Sequence, residues 1–122
     1  MRALVVDDSN VMRRVISGAL RQAGVESVDE AVDGLEAVDA VRQQEYGIIM
    51  MDWNMPNMDG LEAVRAIRED GIMTPIIMVT TENDRKRVLD AVRAGVSGFI
   101  TKPFTPDTII SKIKNTVDSV RD

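Results

Sequence analysis

The 122-residue sequence contains neither cysteine nor histidine. Without cysteine, disulfide bonds, thiol nucleophiles and iron–sulfur ligation are excluded, and a reducing compartment is compatible with the chain. Without histidine, a Ser-His-Asp triad, a histidine-ligated zinc and a phosphohistidine are excluded as well. Carboxylates, hydroxyls and amines are therefore the groups on which any chemistry of this chain depends.

An excess of positive charge and a long hydrophobic run are also missing. Lys and Arg number 15 against 20 Asp and Glu, which gives a formal net charge of −5. Such a surface does not attract nucleic acid or anionic membranes non-specifically. No apolar run approaches the roughly 20 residues of a membrane-spanning helix. Because Met1 and Arg2 lead directly into a strand-like segment, we expect no signal peptide and a cytoplasmic protein that neither binds nucleic acid nor inserts into membranes.

Hydrophobic residues make up 44% of the chain and charged residues 29%, which is the balance of a globular domain. A chain of this length suits one compact core, so we predict a single domain over residues 1–122. Four short apolar runs, at residues 3–6, 47–51, 75–79 and 98–101, predict strands. Their lack of polar alternation is typical of a parallel sheet covered by helices on both faces. A weaker alternating segment at residues 25–32 predicts an edge strand.

Apolar residues at helical spacing follow each predicted strand. In the first helix the predicted buried stripe includes Val11 and Val15, and Ser9 is placed to cap its start. The last helix carries its apolar stripe to Val120. The order strand–helix, repeated five times, requires right-handed crossovers that place helices on both faces of the sheet. We therefore predict an α/β fold, a doubly wound sheet of five parallel strands in flavodoxin-like (βα)5 order.

Polar side chains follow four of the predicted strands. In an open α/β sheet the carboxyl ends of the strands meet at one edge, and binding sites lie there. Taken one at a time, the paired aspartates are as typical of a polar turn as of a site, and Asp52 is compatible with the start of a loop. Thr80 alone is more typical of a β-branched strand residue, and Lys102 alone of a solvated lysine. Their common position at one edge favours a site. The residues are Asp7, Asp8, Asp52, Thr80 and Lys102.

Three carboxylates at one edge of a sheet require a cation. Two carboxylates about 4 Å apart repel by about 4 kcal/mol at an effective dielectric constant of about 20. Oxygen ligands without histidine or cysteine favour a hard ion such as Mg²⁺. Lys102 adds a fixed positive charge for a further anion. A carboxylate nucleophile, a divalent metal and a cationic side chain are the groups that phosphoryl transfer uses.

These motifs, in this order, resemble the receiver domain of two-component response regulators along nearly the whole chain. They are Asp7-Asp8, Asp52, Thr80 and Lys102-Pro103-Phe104. The segment DWNMPNMDGLE at residues 52–62 is most similar to single-domain chemotaxis regulators of the CheY type. The resemblance implies a phosphorylation-activated switch, not an enzyme beyond its own Mg²⁺-dependent phosphorylation and dephosphorylation. A histidine kinase is expected to supply the phosphoryl group, and a partner protein, in chemotaxis one that controls the flagellar motor, is expected to receive the signal.

The resemblance also implies roles for individual residues. Asp52 is expected to accept the phosphoryl group. Asp8, Asp52 and the backbone carbonyl of Asn54 are expected to ligate Mg²⁺, and Asp7 to act largely through a bound water. Lys102 is expected to hold the phosphoryl oxygens, and the peptide bond that follows it is expected to be cis.

A second set of implied roles concerns switching. Thr80 is expected to hydrogen-bond the phosphoryl group, and Phe99 is expected to move with it. Asn54 and Glu82 are expected to flank the attacking water and to set the lifetime of the phosphorylated state. Many chemotaxis members carry tyrosine in place of Phe99 and a smaller residue in place of Thr81, so we expect the bulk of Thr81 to crowd the path of Phe99. The partner face is expected to comprise the fourth helix, fifth strand and fifth helix, with a phosphatase as a further candidate partner.

Other classes fit the sequence less well. The loop after the first strand is acidic, which disfavours an FMN phosphate, and the glycine motifs of dinucleotide-binding and P-loop proteins are missing. A Mg²⁺-dependent phosphohydrolase with an aspartyl-phosphate intermediate would want its nucleophile after the first strand and usually a cap domain. A stand-alone receiver in a phosphorelay outside chemotaxis stays open, and no acidic residue is missing as in a non-phosphorylated pseudo-receiver.

Overall fold

The computed structural model describes residues 1–121, with side chains through residue 118, so the Val120 side chain and Asp122 lie outside the described part. Strands and helices alternate along the chain, as predicted. None of the helices within residues 1–121 is both long and apolar enough to span a lipid bilayer. In chain order the elements are β1 (Arg2–Val6), α1 (Asn10–Gln22), β2 (Ser27–Ala31), α2 (Gly34–Gln43), β3 (Ile48–Met51), α3 (Gly60–Glu69), β4 (Ile76–Thr80), α4 (Arg85–Ala94), β5 (Gly98–Thr101) and α5 (Pro106–Arg121).

The described strands form one parallel sheet in the order β2-β1-β3-β4-β5. The predicted doubly wound fold is thereby confirmed, with β2 at an edge. The chain leaves β1 toward β2 on one side and later returns to β3 on the other side. Connections on either side of this point depart in opposite directions, which opens a crevice at the carboxyl ends of β1 and β3.

The core lies in two layers, one on each face of the sheet. Successive strand residues point to opposite faces, so β1, β3 and β4 supply both layers. One layer packs against α2, α3 and α4, and the other packs against α1 and α5. The first layer contains Leu4, Val6, Ile49, Met51, Ile76 and Met78, and the second contains Ala3, Val5, Ile48, Met50, Ile77 and Val79.

The predicted buried stripe of α1 is partly wrong. Val11 and Val15 are 68% and 47% exposed. The helix is rotated so that Arg13 faces inward at the end nearest the crevice and Ile16 reaches the apolar layer. The predicted cap is confirmed, since the Ser9 side chain accepts a hydrogen bond from the Met12 amide at 3.2 Å. The polar contacts of Arg13 at the crevice thus determine which face of this helix is buried, in place of the apolar spacing of its sequence.

Helix α4 is held more shallowly than its position in the layer suggests. Ala91 is its only buried residue within the described part of the chain, and Leu89 and Val92 are exposed. Its carboxyl end closes at Gly95, whose φ of 110° is a left-handed conformation that glycine adopts without strain. A helix with so little buried apolar surface can shift at low energetic cost.

We predict opposite effects of alanine at two glycines. A Cβ at Gly60 would lie 2.0 Å from the backbone oxygen of Asp52, whereas a Cβ at Gly18, inside α1, has no atom within 4 Å. Gly60→Ala should lower the free energy of unfolding by about 1–3 kcal/mol through overpacking. Gly18→Ala should raise it by about 0.5–1 kcal/mol through reduced chain entropy. Urea denaturation measures both, and equal stability of the two variants would contradict the close approach at Gly60.

Candidate functional site

The predicted site residues meet at the carboxyl edge of the sheet. Asp7 directly follows β1, Asp52 follows β3, Thr80 is the last residue of β4, and Lys102 follows β5. Asp7, Asp52 and Thr80 are buried, whereas Asp8 is exposed at the rim. The strand ends place these side chains together because parallel strands in register finish at the same edge.

The three carboxylates form a compact cluster. Asp7, Asp8 and Asp52 each offer an oxygen, and these oxygens lie within 4.8 Å of one another. The ammonium of Lys102 lies 3.1 Å from Asp7 Oδ2 and 3.6 Å from Asp52 Oδ1. Among the described residues it is the only cation paired with these side chains. One ammonium balances one of the three charges, so the cluster keeps a surplus of negative charge.

The surplus charge is visible at Asp52. Burial, together with the neighbouring charge of Asp7, raises the pKa of Asp52 to about 6, although Lys102 and the Trp53 amide act in the opposite direction. The Trp53 amide donates to Asp52 Oδ1 at 2.8 Å. Asp52 is thus ionised at neutral pH but at an energetic cost that a further cation would relieve.

The donor set fits a hard divalent cation. All three side chains offer carboxylate oxygens, they are spaced closely enough to share one ion, and their charge is not fully balanced. Such ligands suit Mg²⁺, which binds one or two carboxylates and keeps several waters. Asn54 lies in the loop two residues after Asp52, and ligation by its backbone carbonyl stays a prediction.

The mouth of the site carries a polar network. Asn54 Nδ2 donates to Glu82 Oε1 at 3.0 Å, so these two residues face each other across the opening. Glu82 also pairs with Arg87 of α4 at 3.2 Å. The Thr80 hydroxyl accepts a hydrogen bond from the Glu82 amide at 3.2 Å. The network therefore connects the last residue of β4 with the first turns of α4.

The ion pair between Arg87 and Glu82 was not predicted from the sequence. Arg87 stands third in the basic run 85–87, and nothing in that run distinguishes it from its neighbours. The contact depends on the conformation of the loop between β4 and α4, which carries Glu82. The sequence carries no signal for this contact, because Glu82 precedes the helix and three consecutive cations stand in the first turn of α4.

The predicted switch residues are placed at different depths. Phe99 is partly buried in the layer formed by α2, α3 and α4. Lys102, three residues later, turns to the carboxylates on the crevice side. Thr81 is exposed. The peptide bond between Lys102 and Pro103 is cis, which confirms the prediction.

Comparison with known proteins identifies the family to which the chain belongs. A family profile described as "Response regulator receiver domain" matches residues 3–114. The chain is 43% identical over 117 residues to chemotaxis protein CheY1 of Helicobacter pylori, covering 93% of this chain and 94% of that protein. It is 38% identical over 115 residues to chemotaxis protein CheY-3 of Vibrio cholerae, covering 93% and 88%. The solved structure of Vibrio cholerae chemotaxis protein CheY4 superposes with a TM-score of 0.87 at 35% identity, covering 94% and 97%.

We predict that Asp52→Asn stabilises the metal-free fold. Because the folded-state pKa of Asp52 is raised to about 6, ionising it removes stability as the pH rises from about 4 to about 6. Asparagine avoids this loss, and the expected gain is about 1–2 kcal/mol above pH 6 after allowing for solvent screening. The gain should shrink toward zero near pH 4.

Urea unfolding in EDTA at several pH values measures this difference. The exposed Glu26→Gln serves as the matched control for the loss of one carboxylate and should leave the free energy of unfolding within about 0.5 kcal/mol of the wild type. An Asp52→Asn variant that is less stable than the wild type at pH 8 would show that Lys102 already balances the cluster.

Proposed function

The chain belongs to the response regulator receiver family, and from this premise we propose that Asp52 is the residue whose phosphorylation operates the switch. The protein is a receiver-type signalling protein related to chemotaxis regulators. The observation that carries the assignment is the meeting of a buried, partly balanced carboxylate with Lys102 at the switch point of the sheet. Asp7 is at least as buried, but both of its carboxylate oxygens are already engaged, one by the Ser9 amide at 2.9 Å and the other by Lys102 at 3.1 Å, and Asp8 is exposed.

In the proposed reaction, an oxygen of Asp52 attacks the phosphorus of a phosphohistidine on a sensor kinase. The new O–P bond forms as the P–N bond breaks, and the departing imidazole nitrogen takes a proton from water. Asp8, Asp52 and the Asn54 carbonyl would hold Mg²⁺, with Asp7 acting through a water. When bound, Mg²⁺ supplies positive charge that offsets the charge developing on the phosphoryl oxygens. Lys102, already 3.6 Å from Asp52 Oδ1, would bind one of those oxygens.

Loss of the phosphoryl group uses the same site. Asn54 and Glu82 are bonded to each other at the mouth, and both are polar. They admit and orient water more readily than apolar side chains would, so we propose a short-lived phosphorylated state. This self-catalysed gain and loss of one phosphoryl group is the proposed extent of its catalysis, and a separate phosphatase is a proposed partner.

The switch is proposed to start at Thr80. Its hydroxyl is bonded to the Glu82 amide and would turn to the phosphoryl oxygens, which bring about −1.5 to −2 charge. Phe99 would then move further into the layer beneath α4. A shift from 1:99 to 99:1 needs about 5.5 kcal/mol, and one charge-assisted hydrogen bond supplies only about 1.5–3 kcal/mol. Lys102 and the loop after β4 must therefore contribute.

The proposed partner face comprises α4, β5 and α5. On this face a groove of about 760 Å³ is lined by residues of β5, of the loop after it and of α5, among them Phe99, Phe104, Thr108 and Lys112. Movement of Phe99 would change the groove directly, which is how a distant protein partner would sense Asp52. By relation to the chemotaxis proteins, the proposed target acts in control of the flagellar motor, and the proposed location is the cytoplasm, which the lack of cysteine permits.

We expect a single phosphoryl group on Asp52. Treatment with acetyl phosphate and Mg²⁺ should add the mass of one phosphoryl group to the wild type and none to Asp52→Asn. Asp29→Asn, a carboxylate in β2 away from the site, is the control and should be labelled as fully as the wild type. Intact mass spectrometry measures the label, and undiminished labelling of Asp52→Asn would place the nucleophile elsewhere.

We expect Thr80→Ala to separate phosphorylation from switching. With the phosphoryl mimic beryllofluoride, the variant should still show amide NMR shifts at Trp53, but the shifts in α4 and at Phe99 should fall by at least half. Thr101→Ala is the matched control, because Thr101 pairs with Thr80 in register but is exposed. Full wild-type shifts in α4 of Thr80→Ala would show that the switch uses another route.

Thr81→Ala should move the Phe99 signals part of the way without beryllofluoride.

A further inference from the structure

Arg13 is a buried arginine whose side chain belongs to none of the roles above. It lies in α1, is 9% exposed and faces the rear of the crevice. Its Nη1 donates to the backbone carbonyl of Asp7 at 2.7 Å, its Nε donates to Glu30 Oε1 at 2.8 Å, and its Nη2 contacts Asn10 Oδ1. One guanidinium thus joins the end of β1, the end of β2 and the start of α1.

We propose that Arg13 is a positioning residue that holds Asp7 and Asp8 in the arrangement that takes up a divalent cation. The inference rests on the proposed Mg²⁺ site and adds a residue to it. Arg13 would not touch the ion, because its bond at the site is to a backbone carbonyl and not to a carboxylate. It would act through the backbone that carries the two carboxylates.

The mechanism follows from the planarity of the peptide bond. The carbonyl of Asp7 and the amide of Asp8 belong to one rigid plane. Fixing the Asp7 oxygen therefore fixes the direction in which Asp8 leaves the strand. The Asp7 side chain is held separately, by the Ser9 amide at 2.9 Å and by Lys102.

Asp8 depends on this plane more than its neighbour does. Its side chain is exposed and has no hydrogen-bond or ion-pair partner among the described residues. The backbone therefore fixes the direction of its Cα–Cβ bond, and with it the region that the Asp8 carboxylate can reach, while no side-chain contact within the described part of the chain restricts it further. Residues that orient metal ligands in this indirect way typically change metal affinity by about 10–100-fold when they are replaced.

Arginine is the side chain suited to this place. The guanidinium presents five donors in a fixed planar fork, and three nitrogens are used here toward three different elements. A lysine ammonium carries the same charge but lacks the fork. Glu30 balances the charge of Arg13 on the side away from the carboxylate cluster.

The charge of Arg13 and its geometry have opposite effects on cation binding. A positive charge near a cation site weakens binding, so removing a purely electrostatic Arg13 would strengthen Mg²⁺ affinity. Removing a positioning Arg13 would weaken it. A purely structural Arg13 would lower thermal stability and leave the affinity unchanged.

The test is Mg²⁺ titration of the full chain, followed by the fluorescence of Trp53, which is the single tryptophan and adjoins Asp52. Arg13→Gln should raise the Mg²⁺ Kd about 10-fold. Arg13→Lys, which keeps the charge and the aliphatic stem, should still raise it several-fold. Arg2→Gln is the matched control, because Arg2, at the amino end of β1, pairs at 3.0 Å with Asp29 in the middle of β2 and so joins the same two strands away from the site. Its Kd should equal that of the wild type.

Thermal unfolding of each variant without Mg²⁺ separates affinity from stability. A wild-type Kd in both Arg13 variants, or tighter binding in Arg13→Gln, would overturn the positioning role. If Arg13→Gln does not fold, Arg13→Lys decides by the same criterion. A wild-type chain that shows no response to Mg²⁺ would contradict the metal site itself, and would be distinct from a failure at Arg13 alone.

Discussion

Repulsion among Asp7, Asp8 and Asp52 is the constraint on which the rest of the structure depends. Their oxygens lie within 4.8 Å of one another, and Lys102 alone is paired with them in the described part of the chain. Burial of β1 and β3 on both faces offsets this repulsion and fixes the strand ends that carry the carboxylates. Burial, and after it the charge of Asp7, raises the pKa of Asp52 to about 6. A cation and then a phosphoryl group are the species such a site accepts.

The same crevice is connected to a weakly held helix. Glu82 bonds to Asn54 at the mouth and to Arg87 on α4, while its amide bonds to Thr80. Exposed ion pairs of this kind contribute about 0–1 kcal/mol each, so a phosphoryl group can rearrange them. Since α4 buries only Ala91 among its described residues, the helix can follow the loop. A small change of bonding at the strand ends thus reaches the proposed partner face.

The alternation of strands and helices and the residues at the strand ends were predictable from the sequence, because buried parallel strands leave continuous apolar runs and their ends share one edge. Contacts between distant segments were not. Arg13 lies 17 residues from Glu30 along the chain, so their contact leaves no local pattern. Val11 and Val15 have apolar side chains that predicted burial, whereas it is Arg13 between them that is buried. The face that a helix buries depends on the residues it contacts in other elements as well as on its own apolar spacing. Those contacts form only when the strands have paired.

The most direct test of this account is the pKa of Asp52, followed by carboxyl ¹³C NMR as a function of pH. Without Mg²⁺ we expect a value near 6, set by burial and by the charge of Asp7. With saturating Mg²⁺ the pKa should fall well below that value, because the ion favours the charged carboxylate. A pKa near 4 that Mg²⁺ does not change would contradict the claim that the surplus negative charge of this cluster organises the site.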